Sequence, residues 1–263
     1  VSLTKRRTPR AKPPGNAPII SRFASSVGAD RNALLAYLEE TGHRALCPIA
    51  AFDARFYLSH LPPEFTRGIN PLAHYLELGH TAMLAPHPVF DLAFLQPPEP
   101  PEIPALVYIL EATAPPYKTP NILFEPAVYA GNLPNGALAG LAPFEHFLRH
   151  WRDYRVPFSR YFDIEFYALK NPHVAKGGLN PLLHYFSLAV DQRADPNPMI
   201  HAKFYAKSNP KVTGDPFVHY IRFGITAGFM PNPYAEQELR TKLTDQTREF
   251  HVQLLNTYVG ADV

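Results

Sequence analysis

Apolar positions along this chain fall into two short signatures that alternate, and the pair returns at a fixed interval. The first is F-D-x-x-F-Y, at Phe52, Asp53, Phe56 and Tyr57 and again at Phe162, Asp163, Phe166 and Tyr167. Looser copies stand at Phe124, Glu125, Val128 and Tyr129 and at Ile200, His201, Phe204 and Tyr205, with a truncated one at Phe90 and Asp91. From 52 to 90, 124 to 162 and 162 to 200 the interval is 38 residues. A fixed period of this size marks stacked supersecondary units, each too small to bury its own apolar face.

Each signature predicts a helix start. Asp53 and Asp163 have the short acceptor side chain of an N-cap. Phe52 and Tyr57, or Phe162 and Tyr167, then occupy the N′ and N4 places of a hydrophobic staple. Prolines after Leu61, Leu133, Asn171 and Asn209 predict where this helix stops. The second signature is a capping residue before proline, at Asn70-Pro71, Asn180-Pro181 and Asp215-Pro216. Apolar stripes at i, i+3, i+4 follow: Leu72, Tyr75, Leu76; Phe144, Phe147, Leu148, Trp151; Leu182, Tyr185, Phe186; Phe217, Tyr220, Ile221. Gly79 and Gly224 are expected to supply the left-handed residue that ends this second helix. Connectors of the form Pro-x-Pro at Pro86, Pro196 and Pro231 lead to the next unit.

The expected fold is therefore all-α, a solenoid-like stack of about five helix-pair repeats of 38 residues with Pro-rich connectors and a C-terminal capping helix. The organisation reads as a disordered basic arm over 1–28, N-terminal repeats over 29–123 that open on a half unit, C-terminal repeats over 124–234, and a capping helix and tail over 235–263. In the second unit prolines crowd 97–104, and only its second helix survives, as Leu106, Tyr108, Ile109 and Leu110. In the last segment Leu239, Leu243, Phe250 and Leu254 form a short seam that covers the end of the stack, or else contacts a second chain.

Charge changes this picture only at the N-terminus. Lys+Arg 25 against Asp+Glu 23 leaves a net charge of +2, too little to recruit nucleic acid. Lys5, Arg6, Arg7, Arg10 and Lys12, interspersed with prolines, form an arm that reads as a solvated linker, with peripheral contact to an anionic membrane surface or polyanion as the alternative. A single cysteine, Cys47, excludes an internal disulfide. With no apolar run of spanning length and no leader pattern, the expected compartment is the cytoplasm, with the inner face of the membrane as the alternative.

Candidate chemistry is sparse. His74, His146, His184 and His219 each precede the aromatic residue of a second helix, and Val107 takes that place in the second unit. Successive units lie about a helix diameter apart, too far for two rungs to share a zinc ion, so these histidines are expected to brace each helix pair. A pH-sensitive or ligand-contacting ladder is the alternative. Arg149, His150, Arg152, Tyr154, Arg155 and Arg160 form the densest basic segment and the candidate surface for a ligand or partner. No D-x-D pair, phosphate-cradling glycine loop, H-E-x-x-H or G-x-S-x-G occurs. No catalytic residue, cofactor-binding residue or metal ligand is assigned, and no cofactor is expected.

The pattern F-D-x-x-F-Y…N-P-x-V-A…N-P-L-x-H-Y, fullest at Asn171, Pro172, Val174, Ala175, Asn180, Pro181, His184 and Tyr185, resembles a helix-pair repeat of bacterial, mainly alphaproteobacterial, surface-polysaccharide proteins. That repeat is often attached to glycosyltransferases. The resemblance covers about residues 34–235, with the copy at 90–123 departing from it. It implies a noncatalytic recognition or scaffolding module with a glycan or protein partner. Two alternatives are an accessory part of a glycosyltransferase whose catalytic domain lies outside this chain, and a purely structural adaptor.

Overall fold

A computed structural model describes residues 23, 31–39, 47–66, 68–96, 102–153 and 155–234. The expected basic arm, apart from Phe23, and the expected capping helix lie outside the described residues, as does Tyr154. Among the described residues every regular element is helical and no strand occurs.

The elements come in pairs where the two signatures stand. After α1 (Arg31–Glu39), α2 (Ala54–Ser59) pairs with α3 (Pro71–His74), and α4 (Leu92–Leu95) is followed by α5 (Ala105–Leu110). Then α6 (Pro126–Gly131) pairs with α7 (Pro143–His150). Next, α8 (Ile164–Lys170) and α9 (Pro172–Gly177) precede α10 (Pro181–Ser187), and α11 (Ala202–Ser208) precedes α12 (Pro216–His219).

Capping chemistry starts these helices as the side chains dictate. Asp53, Asp91 and Asp163 each accept the amide three residues on at 2.9 Å. Ahead of their prolines, Asn70 accepts the amide three residues on at 3.0 Å, and Asn180 and Asp215 each accept the amides two and three residues on, at 2.9–3.3 Å. The staple forms too, with ring centroids 5.5 Å apart for Phe52–Tyr57, 5.7 Å for Phe124–Tyr129 and 4.9 Å for Phe162–Tyr167. The two altered copies compensate differently. Glu125 caps nothing and instead holds Arg160 and Ser159 of the connector that closes its unit. His201 caps nothing either, and Asp195 accepts the Ala202 amide in its place at 3.0 Å.

The expected left-handed role of Gly79 and Gly224 is corrected. Helix α3 continues into a π-turn over Tyr75–Gly79, α12 into one over Tyr220–Gly224, and Gly224 has φ −63°. Left-handed residues come four positions later, at Met83 (φ 56°) and Gly228 (φ 71°). What forbids a side chain at these glycines is a tyrosine. A Cβ on Gly79 would stand 2.0 Å from the Tyr57 hydroxyl oxygen, and one on Gly224 would stand 2.5 Å from a ring carbon of Tyr220 and 2.9 Å from the Tyr205 hydroxyl oxygen.

Successive units are tied by their connectors. The amides of Asp53, Asp91, Glu125, Asp163 and His201 donate to the carbonyls of Pro86, Pro120, Phe158, Pro196 and Pro231, at 2.8–3.0 Å. Proline has no N–H to return, so the reciprocal bond comes from a side chain. Asn121, Asn197 and Asn232, each next to a proline, donate through Nδ2 to the carbonyls of Val89, Tyr161 and Met199. Asn121 and Asn197 also turn Oδ1 back onto the amide two residues on, at 2.8 Å, which fixes the local bend. All three are buried. The P-N dipeptides were visible in the sequence, but only the paired carbonyls reveal what they do.

Contacts also run beyond neighbouring units. The buried carboxylate of Glu145 on α7 accepts the amides of Ala50 and Ala51, ahead of the first unit, at 2.9 Å each. Phe90 of the second unit meets Phe144 of the third edge-on at 5.9 Å, and Arg222 of the last unit approaches Asp91 at 3.5 Å. A strictly one-dimensional stack would lack the first and last of these contacts. The chain curls back on itself.

Candidate functional site

Each repeat histidine meets a tyrosine of the helix before it. Nδ1 lies 2.6 Å from the hydroxyl oxygen in Tyr57–His74, 2.9 Å in Tyr129–His146, 2.7 Å in Tyr167–His184 and 2.8 Å in Tyr205–His219. The tyrosines are fully buried, so each hydroxyl needs a partner inside the protein. Burial pushes the pKa of His74, His146 and His184 below the usual imidazole value, with His150 adding to this at His146 and His173 at His184. In the second unit Leu95 stands where the tyrosine should be and Val107 where the histidine should be, so the partners vanish together.

The candidate basic segment does not converge on one point. Arg149 turns inward, with Nε 2.5 Å from Glu145 and Nη2 donating to the Pro48 carbonyl at 2.7 Å. His150 bonds Asp153 at 3.2 Å, and Arg160 pairs with Glu125 at 2.7 Å. Arg152 is exposed and Tyr154 lies outside the described residues. Arg155 and Arg160 do share a shallow depression of about 490 Å³, but Asp163 and Glu165 line it as well. The positive charge is largely answered locally.

A second depression, of about 400 Å³, lies where the second unit faces the last two. Its walls combine the half-buried ring of Phe186 and the exposed ring of Phe223 with fixed charges, Arg193, Arg222, Asp91 and Asp215. Arg193 Nη1 bonds Asp215 Oδ2 at 2.6 Å, and the Tyr185 hydroxyl donates to the same oxygen at 2.7 Å. The Arg193 guanidinium lies over Phe186 at 5.3 Å, and that of Arg222 over Phe223 at 5.1 Å. Stacking and pairing together fix both guanidinium planes before anything binds. Flat apolar faces beside preset donors and acceptors suit a ligand rich in hydroxyl groups. Sequence spacing gave Asp91, Phe186 and Asp215 places in the repeat but did not bring these residues together, because they come from units far apart in the chain.

Burial pushes the Cys47 thiol up to about 12, so it is a poor nucleophile. Among the described residues no three side chains of His, Cys, Asp or Glu converge as metal ligands, and no helix is long and apolar enough to cross a membrane. No protein-family model, curated protein or solved structure matches this chain.

Proposed function

We propose that this chain is a noncatalytic recognition module, a solenoid-like stack of about five helix-pair repeats that serves bacterial surface-polysaccharide, glycosyltransferase-linked machinery by holding a glycan. The observation that carries the reading is the groove between the second unit and the last two, with Phe186 and Phe223 beside the Arg193–Asp215 pair. A pyranose lays its C–H face on such rings and shares its hydroxyls between guanidinium and carboxylate. The repeat resemblance supplies the biological setting, and the absence of a D-x-D pair from the sequence argues against turnover by this chain itself. The fold offers surface for a protein partner as well, and the N-terminal basic arm suits the inner face of the membrane.

A glycan array probed with the whole chain is the direct experiment. Retention of a defined set of bacterial polysaccharide fragments is expected, with binding at least tenfold weaker for Phe223→Ala, whose ring is half exposed and adds little to the core. Calorimetry with nucleotide sugars, with and without Mn²⁺, should show no saturable heat. If nucleotide sugars bind and glycans do not, the chain is an accessory part of a transferase.

A further inference from the structure

The fourth unit departs from the others at one position. On α9, inserted between the paired helices, the exposed His173 faces α10, and its Nε2 lies 2.9 Å from Nε2 of His184. The rings stand 4.8 Å apart at 67°. His184 cannot swing away, because its Nδ1 is held at 2.7 Å by the buried hydroxyl of Tyr167. We propose that His173 and His184 form an exchangeable site for a divalent transition metal, zinc being the natural occupant.

Two nitrogens bound to one tetrahedral zinc, each at about 2.0–2.1 Å, lie about 3.3 Å apart. The present pair needs to open by only a few tenths of an ångström, and His173, on the surface of a short helix, is free to give that. A metal replaces the single proton that the two facing nitrogens now share. Both ring nitrogens are of the borderline type that favours zinc, nickel and copper over calcium or magnesium. Tyr167 would act as the outer partner of His184, accepting the Nδ1 proton and presenting Nε2 to the ion, as such partners commonly do. Two protein ligands leave the remaining positions to water or to an oxygen of a bound molecule. The site lies within one unit, so it does not conflict with the distance that keeps successive rungs apart.

The whole chain titrated with Zn²⁺, and separately with Ni²⁺, by calorimetry at neutral pH gives the test. One saturable event per chain is expected, weakened at least tenfold by His173→Gln, whose circular dichroism spectrum and melting temperature should match those of the parent. His60→Gln, which removes an exposed histidine elsewhere, should leave the event unchanged. Nitrogen-15 shifts of the His184 ring should report Nδ1 protonated when zinc is bound. No saturable event, or one that survives His173→Gln intact, would overturn the proposal.

Discussion

Phe162 and Asp163 sit next to each other and do unequal work. Phe162 is 2 % exposed and packs on Tyr167 and edge-on against Tyr185, whereas exposed Asp163 makes one capping bond. Denaturant unfolding should show Phe162→Ala costing about 3 kcal/mol and Asp163→Ala about 1 kcal/mol. A silent Phe162→Ala would mean that the staple is not part of the core. The histidine of the first connector makes a second case. His87 is completely enclosed, and burial lowers its pKa from 6.5 to about 4, against a small opposing effect of Asp53. In the unfolded chain it takes a proton below about pH 6.5, and in the folded one only near pH 4. Stability from this group is therefore complete above about pH 6.5 and is lost as the pH falls towards 4. Asparagine occupies the corresponding place in other connectors, at Asn197 and Asn232. His87→Asn should flatten the acid limb of a melting-temperature profile, and an unchanged limb would place the acid sensitivity elsewhere.

Within a helix pair, the tyrosine hydroxyl is the point where the two elements meet. It bonds the histidine of the second helix and, in the first and last units, also presses on a glycine in its π-turn. Exchange of a helical glycine for alanine ordinarily stabilises by roughly 0.5–1 kcal/mol. Gly79→Ala should do the opposite, because the new methyl would stand 2.0 Å from the Tyr57 oxygen. Adding Tyr57→Phe should recover much of the loss, so the two changes combine non-additively in a double-mutant cycle. Stabilisation by Gly79→Ala alone would show that the close approach is absent in solution. At the fourth unit, Tyr167→Phe should cost about 1–3 kcal/mol through the orphaned imidazole nitrogen, measured by denaturant unfolding. The element boundaries follow from local chemistry, since caps and prolines were readable where they stood. The role of Gly79 was not, because the atom that excludes a side chain there comes from 22 residues earlier.

At the scale of the molecule, the connectors and the aromatic core join the units, and Glu145 closes the third onto the chain before the first. Its carboxylate is buried, satisfied by two amides and by Arg149. Glu145→Ala would leave those amides without an acceptor and should cost about 2–5 kcal/mol. Glu165→Ala, at an exposed carboxylate on α8, should be nearly silent. If the two variants melt alike, the closure seen here contributes nothing. The expected basic surface illustrates the same point from the other side. Five basic residues close in sequence looked like one patch, yet Glu145 and Glu125 pair with Arg149 and Arg160, and Asp153 bonds His150.

The sequence alone determined the helical class, the caps, the staple and the stop of the first helix in each pair. Each of these depends on residues within one or two helical turns of each other, where spacing fixes geometry. Tertiary structure alone decided which hydroxyl each histidine bonds, why Gly79 and Gly224 carry no side chain, and how the second unit comes to face the last two across a groove. Those contacts join residues from 14 to 131 positions apart, and a periodic pattern records which face is buried but not what is buried against it.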